Sequence, residues 1–99
     1  MPESAATYPG GTDAFFAWVK QNIKYPAAAK AQKLEGKVKV EFIIEPDGSL
    51  TNAKILNHLG GGLEQEALRL IAVSPKWTAA VYQGKPIRSK MVLPIIFQP

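Results

Sequence analysis

The ten residues from Lys37 to Pro46, KVKVEFIIEP, restrict the fold of this chain more than any others. Val38, Val40, Phe42 and Ile44 alternate with Lys37, Lys39, Glu41 and Glu45. A period of two with charge on one side is the pattern of a strand that buries one face and wets the other. Pro46-Asp47-Gly48-Ser49 follows at once. Proline presets φ at the second position of a turn, and glycine accepts the left-handed conformation later in it. The next apolar run, Leu50 to Leu56, therefore returns as the second arm of a β-hairpin. Leu50 falls on one parity and Ala53 and Ile55 on the other, so the spacing predicts a bulge near Asn52.

The flanking segments supply cover for that strand. Thr12 or Asp13 is positioned to cap a helix whose face carries Phe16, Val19 and Ile23, widened by Phe15 and Trp18. Tyr25-Pro26 ends it, because the residue before proline is pushed out of the α region. Pro26 can start a short second helix, AAAKAQK over 27–33, anchored by Leu34 and stopped at Gly36. After the break at Gly60-Gly61-Gly62, Leu63, Ala67, Leu70, Ile71 and Ser74 mark an amphipathic helix that ends before Pro75. Residues 75–86 read as a loop in which Trp77 and Tyr82 pack against the end of the sheet. A long last strand covers 87–97, with Ile87, Met91, Leu93, Ile95 and Phe97 on one parity. Proline cannot donate to a ladder, so Pro94 places that strand at an edge.

Residues 1–12 are small, polar and rich in glycine and proline, an irregular lead-in to one domain over 13–99. At 99 residues the chain is the size of a single domain with a modest core. The economical packing is a two-layer α+β fold. Its sheet has three antiparallel strands, with the 38–44 strand in the centre, and Phe16, Val19, Ile23, Leu70 and Ile71 cover one face.

The residue types exclude most chemistry. There is no cysteine, so disulfides, thiol nucleophiles and thiolate metal sites are absent. His58 is the single histidine; with no second one to share a metal it reads as a surface residue. Glu64 and Glu66 lie two apart on a helix and point in different directions; they read as charges favourable to its first turn. The glycine run before that helix lacks the lysine and hydroxyl of a phosphate loop. Ser49 and Ser74 have no arranged base, and Asp47 belongs to a turn rather than a calcium loop. The expectation is a non-enzyme without cofactor or metal. No apolar run approaches the ~18–20 residues of a membrane span, and the first residues lack the pattern of a signal peptide. The net charge of +4 suits an acidic partner, and equally mere solubility. Lys37, Lys39 and Lys54 are expected on the solvated sheet face.

At YPAAAKAQKLEGKVKVEFIIEPDGSLTNAKIL the chain resembles the C-terminal domain of the TonB family. The resemblance continues through Glu66-Ala67-Leu68-Arg69, Ser74-Pro75-Lys76-Trp77 and Gly84-Lys85-Pro86 to Leu93-Pro94-Ile95-Ile96-Phe97, and Tyr8-Pro9-Gly10-Gly11 matches a variant lead-in. It implies the periplasmic, receptor-binding domain of an inner-membrane-anchored energy transducer. Such a domain grips the TonB box of outer-membrane receptors, while an ExbB–ExbD motor, reached through an anchor helix and a proline-rich linker, supplies force from the proton gradient for uptake of nutrients such as siderophores. The expected mode is β-augmentation on the last strand. The residues assigned to partner binding are therefore Arg88, Ser89, Lys90, Met91, Val92, Leu93, Pro94 and Ile95, with Asn22, Lys24 and Tyr25 from the tyrosine-proline segment. Arg88 and Lys90 would guard the edge against aggregation and attract acidic segments. The family often carries a glutamine-proline pair before that tyrosine; Asn22-Ile23-Lys24 stands there instead, which leaves the side-chain part of the contact open.

Other contexts use the same fold. TonB-like domains also end membrane sensor or peptidase-like proteins, where one would bind a peptide or envelope ligand without powering transport. A homodimer is compatible with the sequence. A nucleic-acid partner is not expected: RNA-binding sheets stack bases on exposed aromatics, and the wet face of 37–45 has none.

Overall fold

The computed structural model describes residues 4–98. Helix α1 (Thr12–Asn22) and the short α2 (Ala27–Ala31) precede β1 (Gly36–Ile44) and β2 (Leu50–Ile55). Helix α3 (Leu63–Ala72), a small hairpin of β3 (Ala80–Tyr82) and β4 (Lys85–Ile87), and β5 (Ser89–Phe97) complete the chain. The main sheet has the order β2-β1-β5, all antiparallel, so the alternating strand is central and the last strand lies at an edge, as expected.

The alternation of β1 is realised residue by residue. Val38, Val40, Phe42 and Ile44 are fully buried, whereas Lys37 and Lys39 are exposed. Leu63, Ala67, Leu70 and Ile71 of α3 close over that face. The bulge is also present. Glu41 pairs with Lys54 and Ile43 with Thr51, so two steps on β1 span three on β2, and Asn52 takes φ 52°.

Helix α1 differs from expectation in phase. Phe15 and Val19, one turn apart, form its buried stripe, and Phe16 and Ile23 sit half-exposed at the margin. The reason is an aromatic cluster. Phe15 meets Trp77 with ring centroids 5.0 Å apart; Trp77 also meets Phe42 at 5.7 Å and Tyr8 at 5.6 Å. Neither Thr12 nor Asp13 caps the helix: Gly11 holds the cap position, with no side-chain bond. Tyr8 and the buried Ala6 bring the start of the chain onto this cluster, and Ser4 and Thr7 bridge to Val81 and Thr78.

Two further differences concern residues 75–97. The stretch expected as a loop contains the β3–β4 hairpin, turned by Gln83 (φ 53°) and Gly84 (φ 73°). Two successive left-handed residues are the twist-matched turn of a two-residue hairpin. The expected single strand over 87–97 is consequently divided at Arg88: Ile87 pairs with Ala80, and pairing with β1 starts at Ser89. Trp77 is buried, but Tyr82 is exposed on the small hairpin.

Candidate functional site

The register of β5 decides what its edge can offer. The β1–β5 ladder is regular over nine pairs, from Gly36–Phe97 to Ile44–Ser89. In an antiparallel strand the N–H and C=O of one residue point to the same side, and successive residues alternate sides. Lys39 fixes the phase. Its carbonyl accepts from Leu56 N–H at 2.9 Å, and its N–H donates to Asn57 Oδ1 at 2.6 Å, both on the β2 side. The odd residues of β1 thus bond toward β2 and the even ones toward β5.

It follows that Ser89, Met91, Leu93 and Ile95 turn their main-chain groups inward to β1. Ile95 is also fully buried, and Met91 and Leu93 pack against the core. Lys90, Val92, Pro94 and Ile96 turn theirs outward, to an edge that no strand covers among the described residues. Of the eight edge residues assigned from the sequence, three therefore present free-side backbone groups. Ile96, left out of that assignment, joins them. Lys90, Val92 and Ile96 also expose their side chains on the open sheet face.

The tyrosine-proline segment reaches the far end of this edge. The Tyr25 ring stands perpendicular to that of Phe97, with centroids 6.0 Å apart, and its hydroxyl donates to the Leu34 carbonyl. Phe16, Val19, Ile23, Tyr25 and Ile96 line a groove of about 460 Å³ between α1 and β5, with Lys20 and Gln98 also at its wall. Asn22 and Lys24 do not line it. The Asn22 side chain donates to the Trp18 carbonyl at 2.8 Å, and the Lys24 side chain is exposed.

Asn22 and Lys24 are instead held by their backbones, through a residue the sequence did not single out for this role. Glu66, 7% exposed, accepts from Lys24 N–H at 2.5 Å and from both Nε and Nη2 of Arg69. Arg69 Nη2 also donates to the Asn22 carbonyl at 2.9 Å. Burial alone would raise the Glu66 pKa, but the Arg69 and Lys24 hydrogen bonds outweigh it and keep the carboxyl below the usual glutamate range. A spacing of i, i+3 between Glu66 and Arg69 was the available signal. Glu64 is used separately, accepting from Leu59 and Gly60 N–H.

The basic entry to the edge is partly neutralised. Arg88 forks onto Glu45, with Nε to Oε1 at 2.7 Å, and Lys90 Nζ lies 4.0 Å from Glu41. Hydrogen bonds from Thr51 and then Arg88 lower the Glu45 pKa. Lys37, Lys39 and Lys54 are exposed on the open face. Among the described residues no group of three or more His, Cys, Asp or Glu is arranged to hold a metal ion, and no helix is long and apolar enough to cross a membrane.

Comparison with known proteins agrees with this architecture. Residues 21–99 match the family described as Gram-negative bacterial TonB protein C-terminal. The protein TonB of Escherichia coli (strain K12) is 50% identical over 34 residues, which are 34% of this chain and 14% of that protein. The chain thus spans a small fraction of that relative's length. With the family matched across all three strands of the main sheet and α3, this chain belongs to the TonB C-terminal domain family.

Proposed function

We propose that this chain is the periplasmic receptor-binding domain of a TonB-type energy transducer. It takes the TonB box of an outer-membrane receptor as an added strand on the outer edge of β5 and passes on force generated by ExbB–ExbD in the inner membrane. One observation carries the reading: Lys90 and Val92 turn outward N–H and C=O groups that no strand pairs with among the described residues. Main-chain bonds of this kind accept many sequences, which suits one transducer serving several receptors. The groove beside Ile96 offers apolar contacts to a side chain of the added segment. Tyr25 lines that groove, and Asn22 and Lys24 precede it in a segment set in place by Glu66 and Arg69.

The test is NMR titration of the domain with a TonB-box peptide from a receptor of the same organism. Amide shifts should concentrate on 88–96 and on the 22–25 segment. Shifts confined to the turn at 46–49 or to α3, with 88–96 silent, would exclude the edge as the docking site.

A further inference from the structure

We propose that Pro94 sets the length and the register of the strand that β5 accepts, a role that rests on the reading of β5 as the docking edge. Four residues of β5 face outward, Lys90, Val92, Pro94 and Ile96. Lys90 and Val92 each bring a donor and an acceptor. Pro94 brings only its carbonyl, and its ring carbon occupies the place of the missing proton.

That carbon closes the ladder. A paired strand would set a carbonyl oxygen ~2.9 Å from the nitrogen. The nitrogen–carbon bond takes up about 1.5 Å of that gap. Regular pairing cannot pass such a contact. An incoming strand is therefore hydrogen-bonded on Lys90 and Val92 and leaves the ladder at Pro94; beyond that point only side chains of the segment reach Ile96 and the groove beside it.

The proline has no effect on the internal sheet. Its partner on β1 is Lys39, whose backbone groups are bonded to Leu56 and Asn57 on the other side. The missing donor is thus felt only by whatever adds to the outside. The ligand class follows: an extended segment of about five residues, free of proline at the two positions that pair with Lys90 and Val92.

The experiment compares wild type with Pro94→Ala by calorimetric titration, using end-capped TonB-box peptides of five and nine residues that share one core. Wild type should bind the two alike through its main chain. Pro94→Ala should bind the nine-residue peptide roughly 2- to 10-fold more tightly, as one added backbone hydrogen bond gives, and the five-residue peptide unchanged. The backbone amide that the substitution creates at position 94 should shift only with the longer peptide. An equal gain for both peptides, or no gain, overturns the role of Pro94 while leaving the docking reading intact. Absence of any shift at 88–96 in wild type removes the docking reading and this inference with it. Thermal melts of both proteins establish that the variant is folded.

Discussion

Proline scanning of β5 separates the inner from the outer side of the edge strand. Met91 pairs with Phe42 and turns its N–H inward, while Val92 pairs with Glu41 and turns its N–H outward. Met91→Pro removes one ladder bond, a net loss of ~0.5–1.5 kcal/mol, and leaves the Phe42 carbonyl unpaired in the interior, a further ~1–3 kcal/mol. Together with lost Met91 packing and the clash of the proline ring carbon with that carbonyl, the variant should lose at least ~3 kcal/mol of stability. Val92→Pro removes no internal bond. The Val92 side chain is 45% exposed, Met91 before it is already extended as proline requires, and a less free unfolded chain offsets some cost. Its stability should stay within ~1 kcal/mol of wild type. Its binding should not: the peptide carbonyl opposite loses its donor, a weakening of at least ~10-fold. Urea melts give the first quantity and peptide titration the second. Equal destabilisation by the two prolines would refute the assignment of backbone direction along β5, and with it the outer edge as a ladder.

Three further outcomes are expected. Phe42→Ala should cost ~3–5 kcal/mol, because the ring is fully buried against Trp77; Glu41→Ala should change stability by about 0.5 kcal/mol or less, as a surface substitution, and equal losses in melts would mean the sheet faces are reversed. Gly48→Ala should destabilise markedly, since Gly48 has φ +87° and an added Cβ would collide with the Trp77 carbonyl oxygen; an unchanged melting temperature would contradict this packing. Glu66 has a lowered folded pKa, so its stabilisation is present above its unfolded value of ~4.3 and is lost as pH falls through the folded one; the stability gap between wild type and Glu66→Gln should be constant near neutrality and narrow as pH falls below about 5, and a gap that stayed constant in acid would count against the buried clamp.

The parts legible in the sequence were those set by period and parity. The β1 alternation, the parity change at Leu50 and Ala53, and Pro94 each named a feature that the backbone then adopts. What stayed hidden depended on tertiary partners. Phe15 rather than Phe16 is central because Tyr8 from the irregular lead-in and Trp77, distant in sequence, converge on it. The β3–β4 strands are too short to show a period, although Gln83-Gly84 was a usable turn signal. Glu66 stands beside Glu64 in the sequence as a second first-turn acid, whereas its bonds go to Arg69 and across to Lys24. The outward set on β5 could not be read at all from one strand. It follows from Lys39 bonding to Leu56 and Asn57, just past β2 and on the far side of β1 from the edge.

The antiparallel run of β5 along β1 also determines how the domain behaves under tension. A pull along the strands loads a ladder in shear, so its rungs share the force rather than parting one at a time. The inner seam has five hydrogen-bonded pairs, the even residues of β1 from Gly36 to Ile44. A segment docked as proposed on Lys90 and Val92 would have two. Were load to run along both seams, the outer one would be the weaker, and the added strand would slip away before the sheet that carries it came apart. The domain would emerge from each pull folded and ready to engage again.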